Sequence, residues 1–449
     1  FLAVSDGGKL IKFTYDPDRE TVPQEKLTIY SLKKNSDMNM AISFYQMQNP
    51  NVFVEYKVGM EEGGVVTEED AIKKLNTQLM AGEGPDILML DGLPMDSYME
   101  KGILCDLKGM IGDLEQEMFV NILGAFEQEG RIYAVPGQVQ FSVMMGRESN
   151  VSGMEGLFAI ADGIERMRGE EPGKDLLGLC SEKAVMRLFA VISAQGWKTE
   201  NGEIDRDAME EFLIQTKRIY EAQMDGINGK SAERFQQLNE YYVQSFGENW
   251  VYDLDMYAYF MGYVAGDSQI FAGINSSPDS YMEMASISRT KGFEDTIFVS
   301  MEGEGERVFI PEMILGICAT TSRSELAKDF LRMFLSKENQ SNLSGYAVNR
   351  AAFDEALARE EKTGENGALR QIGIVDEDGR EILLDIFPPT DEDKALIRAW
   401  MEEARVPYIE DAVFEQCIFE EGSLFILGKK GLEETMDIIE KRLAIYIAE

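Results

Sequence analysis

The sequence predicts an α/β fold that is divided into more than one domain. Strand and helix patterns alternate from residue 27 to residue 90, in the order β-α-β-α-β. Such alternation is typical of a parallel sheet whose strands are joined by right-handed helical crossovers. The chain also has 449 residues. One hydrophobic core rarely serves a chain of that length, so two or three domains are expected.

The alternating region begins with a predicted strand at residues 27–32, which read LTIYSL. A helix is expected from about residue 37 to residue 48, where Asn49 and Pro50 close it. The next strand is predicted at residues 52–58 (VFVEYKV). A second helix follows it, with Thr67 as its N-cap and three acidic residues in its first turn.

The stretch from residue 75 to residue 107 combines a helix end, a buried strand and a loop that can face a ligand. The residues at 82–85 (GEGP) end the helix, because glycine supplies a left-handed C-cap and proline cannot continue. The apolar run at 87–90 predicts a strand that is covered on both faces. Asp91 and Gly92 break this strand, so residues 91–94 should lie at its carboxyl end. Open α/β sheets bind their ligands at that edge.

Three motifs in this stretch, KLN…MAGEGPDI, DGLP and YMEKGILCDL, occur in an order that resembles the extracellular solute-binding proteins of ABC importers. That family includes the maltose-binding proteins. Four later passages follow in the order that the family shows: RIYAVP at residues 131–136, ELAKDFLRMFLSKENQ at 325–340, GYAVNRAAF at 345–353, and the carboxyl-terminal helix. The resemblance therefore covers roughly residues 27–449.

The resemblance implies a two-lobed, periplasmic-binding-protein-like clamp (type II), in which each lobe is a mostly parallel sheet flanked by helices. Lobe 1 is then expected to comprise residues 27–137 and 270–315, and lobe 2 residues 138–269 and 316–449. Residues 1–26 lie outside this pattern. They read as a hairpin around residues 6–8 (DGG) and a linker, either packed on the main body or left as the stub of an upstream domain.

Composition excludes several classes of function. Acidic residues number 81 against 43 basic residues, giving a formal net charge of −38. That sign disfavours binding to nucleic acid or to anionic membranes. The sequence contains no histidine. Catalytic systems of the Ser-His-Asp and Cys-His types are therefore excluded, as are histidine-ligated metals.

The four cysteines predict neither a metal centre nor a redox motif. Cys105, Cys180, Cys318 and Cys417 lie far apart and form no CxxC pair, and no cofactor is expected. No apolar run reaches the length of about eighteen residues that a transmembrane helix needs, and no signal peptide follows Phe1. The resemblance implies an extracellular, cell-surface lipoprotein whose anchor lies upstream of this sequence.

Eight residues are candidates to contact a ligand, and most of them lie at predicted strand ends. Gln138 and Gln140 alternate with Val139, so their side chains should point the same way. An amide both donates and accepts, which suits a sugar hydroxyl. The alternative is that one of these glutamines satisfies backbone groups at the hinge. The full set of candidates is Tyr30, Ser31, Asp91, Gln138, Gln140, Asn275, Ser276 and Trp250. The indole of Trp250 could stack on a sugar ring or simply pack in the core or on the surface.

Solute capture without catalysis is the function that the resemblance implies. Two lobes would close over a sugar or oligosaccharide and deliver it, as a monomer, to the permease subunits of an ABC importer. The first alternative is a glycosidase or lyase, which would need two opposed carboxyl groups about 5–10 Å apart. Asp91 is the only acidic residue that the sequence places at the cleft. The second alternative is a surface-interaction module that uses residues 1–26.

Overall fold

The computed structural model describes residues 2–4, 10–12, 23–61, 66–199, 203–246, 260–303, 305–359, 362–376 and 378–448. The strands, numbered in chain order, are β1 (Leu2–Val4), β2 (Leu10–Lys12), β3 (Glu25–Ser31), β4 (Val52–Val58), β5 (Ile87–Met89), β6 (Glu127–Gln128), β7 (Arg131–Ile132), β8 (Gln138–Arg147), β9 (Ile270–Asn275), β10 (Thr296–Ser300), β11 (Glu302–Gly303), β12 (Glu306–Glu312), β13 (Leu315–Ile317), β14 (Tyr346–Ala347), β15 (Arg370–Val375), β16 (Glu381–Ile386) and β17 (Val406–Pro407).

The α-helices, numbered in the same way, are α1 (Ser36–Gln48), α2 (Glu68–Met80), α3 (Met95–Glu100), α4 (Lys108–Gly112), α5 (Val120–Gly124), α6 (Glu148–Val151), α7 (Leu157–Glu170), α8 (Glu182–Ala190), α9 (Arg206–Met224), α10 (Gly229–Phe246), α11 (Met261–Ala265), α12 (Pro278–Ile287), α13 (Ser324–Phe334), α14 (Lys337–Gln340), α15 (Arg350–Ala358), α16 (Asp391–Glu403), α17 (Ala412–Ile426) and α18 (Leu432–Ala448).

The first sheet has the strand order β13-β5-β3-β4. Strand β3 is parallel to both β4 and β5, whereas β13 joins the edge in the antiparallel sense. The predicted β-α-β-α-β alternation is therefore confirmed by β3, α1, β4, α2 and β5. Helix α2 begins as predicted, because the side chain of Thr67 accepts a hydrogen bond of 3.1 Å from the backbone N–H of Asp70. The glycine that ends it, Gly82, has the positive φ of 72° that a C-cap requires.

The second sheet is built around the long strand β8 and is mostly antiparallel. Strands β9, β10, β12 and β14 all pair with β8 in the antiparallel sense, and among the described strands of this sheet only β17 is parallel to its neighbour, β12. The two-lobed α/β fold class holds, but the prediction of a mostly parallel sheet is wrong for this lobe. Strand β8 carries the chain from the first sheet into the second, and β12 carries it back towards β13, so these two neighbours run in opposite directions.

Two hydrophobic clusters form the core of the described residues, and β8 contributes to both. Its odd-numbered side chains, such as Val139 and Phe141, belong to the first cluster, while Met144 belongs to the second. The even-numbered positions include the glutamines predicted as ligand contacts. The alternation of a strand therefore explains why one face of β8 is apolar and the other carries polar groups.

The predicted lobe boundaries remain a prediction, but the strand pairing bears on them. If each sheet defines one lobe, residues 270–312 belong with the second sheet rather than with lobe 1, because β9, β10 and β12 all pair with β8. Strand β13, by contrast, pairs with β5 of the first sheet.

Two short hairpins lie outside the two main sheets. Strands β1 and β2 pair in the register Leu2↔Lys12, as the predicted amino-terminal hairpin requires, and β15 pairs with β16 in the register Val375↔Glu381. The role of residues 1–26 as the stub of another domain stays a prediction.

Candidate functional site

A cavity of about 290 Å³, here called the front cavity, lies between the first and second sheets. Its first wall consists of the carboxyl ends of β3 and β5 together with the residues that follow them. Its second wall consists of residues from β8, β12 and α8 and from the segment that leads into α17. The volume lies close to the lower end of the range for small-molecule sites.

Asp91 lies in the front cavity, as the strand-end rule predicts, but its carboxylate is already bound by the protein. Oδ1 accepts a hydrogen bond of 2.8 Å from the backbone N–H of Met313, and Oδ2 accepts one of 2.9 Å from that of Ile314. Burial raises the pKa of Asp91 to about 6, even though these two hydrogen bonds favour the charged form. Asp91 therefore fastens the end of β5 to the turn between β12 and β13.

Ser31 also lines the front cavity, whereas Tyr30 does not. The hydroxyl of Ser31 donates to the carbonyl oxygen of Lys33 (2.6 Å) and lies 2.7 Å from the hydroxyl of Tyr56. Tyr30 is buried, with 7 % of its surface exposed, and burial raises its pKa to about 12. Its hydroxyl packs where a Cβ atom on Gly59 would lie, so any larger residue at position 59 would displace the buried ring of Tyr30.

The two glutamines of β8 have different roles. Gln138 is fully engaged: its Nε2 donates to Oε2 of Glu312 (2.8 Å) and its Oε1 accepts from the backbone N–H of Gly345 (2.8 Å). Gln140 lines the front cavity and is 4 % exposed. In the part of the chain that the structure describes, no hydrogen-bond partner is found for its amide group. An enclosed amide without a protein partner is the feature expected of a ligand contact.

Two of the remaining predicted contacts, Asn275 and Ser276, are not brought to the front cavity. Asn275 is fully buried at the end of β9, opposite Phe141 of β8, and its Oδ1 accepts a hydrogen bond from the hydroxyl of Tyr346. Ser276 follows it and is not among the residues that line the cavity. Trp250 lies outside the described residues.

A buried network of charged groups that sequence reasoning missed forms the second wall. Nη1 of Arg187 donates to Oε2 of Glu415 (2.7 Å) and to the hydroxyl of Tyr408, and its Nη2 lies 3.0 Å from Oε2 of Glu410. The hydroxyl of Tyr408 donates in turn to Glu415 (2.7 Å). Arg187, Tyr408 and Glu415 are each less than 5 % exposed. Burial raises the pKa of Glu415, and the neighbouring Arg187 opposes this shift by favouring the charged form.

One signal in the sequence could have identified this network. Residues 184–190 of α8 are all buried, and Arg187 is the only charged side chain among them. An arginine within an apolar helical run requires partners, because burying an unpaired charge is very costly. The sequence around Tyr408 and Glu410 offers no comparable signal.

Two absences hold for the described residues. No group of three or more histidine, cysteine or acidic residues is placed to hold a metal ion there. Within the same residues, no helix combines the length and apolarity needed to span a membrane.

Comparison with known proteins identifies the fold. No family model matches the sequence, and no curated protein matches it. Solved structures do. An extracellular solute-binding protein family 1 structure from Alicyclobacillus acidocaldarius is 14 % identical, with 96 % of this chain and 100 % of that chain covered and a TM-score of 0.53.

Two further structures contain a bound sugar. The maltose-bound MalE3 of T. maritima is 15 % identical, with a TM-score of 0.51 over 95 % of this chain and 100 % of that chain. An ABC transporter solute-binding protein from Thermotoga lettingae TMO, bound to α-D-tagatose, is 13 % identical, with a TM-score of 0.51 over 94 % of this chain and 100 % of that chain. The chain therefore has the two-lobed fold of these solute-binding proteins.

Proposed function

We propose that this chain captures a sugar or oligosaccharide in the front cavity and delivers it to an ABC importer. The observation that carries the proposal is the amide of Gln140, which is buried in the wall of a cavity between two sheets and has no protein partner among the described residues. The fold supports the same conclusion, since the structures that share it include proteins with maltose and with tagatose bound.

Capture needs only modest interactions. A micromolar affinity corresponds to about −8 kcal/mol. Neutral hydrogen bonds contribute about 1 kcal/mol each, so a few of them together with the burial of a sugar ring suffice. Closure of the lobes excludes water and strengthens each polar contact. Ser31 and Asp91 fix the shape of the first wall, and Gln140 supplies donor and acceptor groups from the second.

The proposal also covers where the chain works and which protein it binds. The chain would work outside the cell as a lipoprotein, held to the membrane by an upstream anchor, and would dock as a monomer on permease subunits. The formal charge of −38 gives long-range attraction to any basic docking surface on those subunits.

Replacing Gln140 by alanine should weaken sugar binding by more than about 1 kcal/mol, because the amide loses its hydrogen bonds to the ligand. A thermal-shift screen of mono- and oligosaccharides on the wild-type protein would first identify a ligand, and calorimetry would then measure both affinities. Gln138→Ala is the matched control. Its amide is bound by Glu312 and Gly345, so it should reduce stability without reducing affinity. Equal affinities for wild type and Gln140→Ala would refute the assignment, and a screen with no stabilising saccharide would refute the function.

A further inference from the structure

Two connections between the first and second sheets run side by side in opposite directions. Residues 136–137 lead into β8, and residues 313–314 lead from β12 into β13. Beside them, Val135 and Leu315 exchange two backbone hydrogen bonds, of 3.0 Å and 2.8 Å. The pairs of β8 with β12 continue in the same register. The two connections therefore occupy one place in an antiparallel ladder that otherwise runs from one sheet into the other.

The ladder is interrupted at these connections. Pro136 has no N–H group to donate. The backbone N–H groups of Met313 and Ile314 donate to the carboxylate of Asp91, at 2.8 Å and 2.9 Å, instead of to the neighbouring strand. Hinges between domains are usually a few residues at the ends of such elements, where changes in φ and ψ are absorbed. The interruption is therefore the place at which the two sheets can rotate against each other.

Met313 has a backbone conformation that methionine rarely adopts. Its φ of 53° lies in the left-handed region, and among the described residues Glu129 is the other non-glycine residue with a positive φ. Glu129 is exposed, whereas Met313 is fully buried. A strained conformation persists only where its surroundings hold it. The two N–H groups that Asp91 binds belong to the peptide units on either side of the Met313 Cα atom, so Asp91 holds this conformation directly.

The two connections are packed tightly against each other. A Cβ atom on Gly137 would lie 2.5 Å from Cζ of Phe334 and 3.4 Å from Cβ of Met313. The N–H of Gly137 also donates to the carbonyl oxygen of Glu312 (3.0 Å). A rotation between the sheets must therefore involve both connections together.

Asp91 joins this hinge to the front cavity. Its backbone follows β5 of the first sheet, while its side chain lines the front cavity and binds the connection into β13. The two hydrogen bonds therefore tether the hinge on the side of the cavity. Because the tether lies on that side, its loss should let the two sheets move apart.

We propose that Asp91 and Met313 form a conformational clamp. The carboxylate of Asp91 keeps Met313 in its left-handed conformation and thereby holds the two sheets at the observed angle. Asp91 acts in this clamp as a positioning residue of the hinge. The clamp stands on the geometry of the two connections, and its consequence for capture rests on the proposed function of the front cavity.

Distances between spin labels on the two halves of the protein, without added saccharide, would test the clamp. Lys74→Cys on α2 and Asp207→Cys on α9 place labels at exposed positions, and Cys105→Ser removes a half-buried thiol. Pulsed double electron–electron resonance then gives the distance distribution. We expect Asp91→Asn to raise the ratio of longer-distance to shorter-distance molecules about fivefold, as the loss of one ordinary hydrogen bond implies. Asp113→Asn should leave the distribution unchanged.

Substitutions of Met313 separate a backbone effect from a packing effect. Valine is β-branched and strongly disfavours a positive φ, so Met313→Val should shift the distribution in the same direction as Asp91→Asn. Leucine has a similar volume without the β-branch, so Met313→Leu should retain the wild-type distribution. Glycine adopts a positive φ without strain, and adding Met313→Gly to Asp91→Asn should return the distribution towards that of the wild type.

Two results would overturn the clamp. The first is a distance distribution that neither Asp91→Asn nor Met313→Val changes. The second is an equal shift in Met313→Val and Met313→Leu, because altered packing rather than the backbone conformation would then be the cause.

The distance measurements need no ligand, so they distinguish a failure of this proposal from a failure of the proposed function. If Asp91→Asn and Met313→Val shift the distribution but no saccharide stabilises the protein, the function fails and the clamp stands. If a saccharide binds in a manner sensitive to Gln140→Ala while both variants keep the wild-type distances, the function stands and the clamp is refuted. If both proposals hold, Met313→Val should also weaken saccharide binding, because a smaller fraction of the molecules is competent to bind.

Discussion

Replacing Arg187 by methionine is expected to lower the free energy of unfolding by about 3–5 kcal/mol, the largest effect expected of any single substitution proposed for this chain. Methionine fills a similar volume, so the loss reflects the charge rather than packing. Without the guanidinium, Glu415 loses a hydrogen bond of 2.7 Å in a position that is 3 % exposed. Urea denaturation followed by circular dichroism would measure the change.

Arg218→Met is the matched control for Arg187→Met. Arg218 also binds two carboxylates, Asp162 and Glu165, each at 2.6 Å. Those partners are about half exposed, however, and ion pairs in such positions contribute at most about 1 kcal/mol. If the two variants lost the same amount of stability, burial of the Arg187 network would have no energetic significance. The double variant Arg187→Met with Glu415→Leu should recover part of the loss, because no carboxylate then remains buried at position 415 without a partner.

Replacing Asp91 by asparagine is expected to destabilise the protein by about 2–3 kcal/mol at pH 8, where the carboxylate is charged. Asparagine has a single acceptor oxygen, so its amide nitrogen would face one of the two backbone N–H groups, of Met313 or Ile314, that the carboxylate binds now. The exposed Asp113 serves as the control, and Asp113→Asn should be nearly neutral. Urea denaturation of both variants and of the wild type would measure these differences in the free energy of unfolding.

The difference in the free energy of unfolding between wild type and Asp91→Asn should also depend on pH. Burial raises the pKa of Asp91 from 3.8 to about 6 in the folded state. The folded protein therefore holds this proton more tightly than the unfolded chain does. The resulting stabilisation is complete below pH 4 and is lost as the pH rises through 6. Asp91 is partly exposed to the cavity, which weakens the effect. We therefore expect the difference in the free energy of unfolding between wild type and Asp91→Asn to shrink by on the order of 1 kcal/mol between pH 4 and pH 7. A difference in the free energy of unfolding that grew from pH 4 to pH 7 would contradict the upward direction of the Asp91 pKa shift.

Three of the four strands of the first sheet could be predicted from the sequence because their signals are local, whereas β13 comes from a distant segment. Strands β3, β4 and β5 and helices α1 and α2 occupy one continuous stretch, and caps and glycines mark their ends. The second sheet could not be predicted in the same way. The partners of β8 come from four distant segments of the chain. Periodicity can indicate that a segment is a strand, but it carries no information about the direction or order of pairing.

The candidate site was predictable to a similar extent. Ser31 and Asp91, which were chosen by the rule that ligands bind at the carboxyl ends of parallel strands, line one cavity in the structure, and Gln140 lines it as well; their contact with a ligand stays a prediction. Asn275 does not line this cavity, because the strand extends one residue beyond the apolar run that precedes it. The structure makes Asn275 the last residue of β9, buried against β8. Arg187 and Glu415 meet only in the tertiary structure, so no local pattern could have paired them.

The position of β13 in the first sheet determines when that half of the molecule can be completed. Residues 315–317 supply the strand beside β5, yet they follow the whole of β8 to β12 in the sequence. During synthesis, one side of β5 therefore stays unpaired until about two thirds of the chain has emerged from the ribosome. Long-range pairing of this kind folds slowly and leaves strand edges open to aggregation. A chain that was truncated before residue 315 would keep β5 as an open edge, however intact its local helices were.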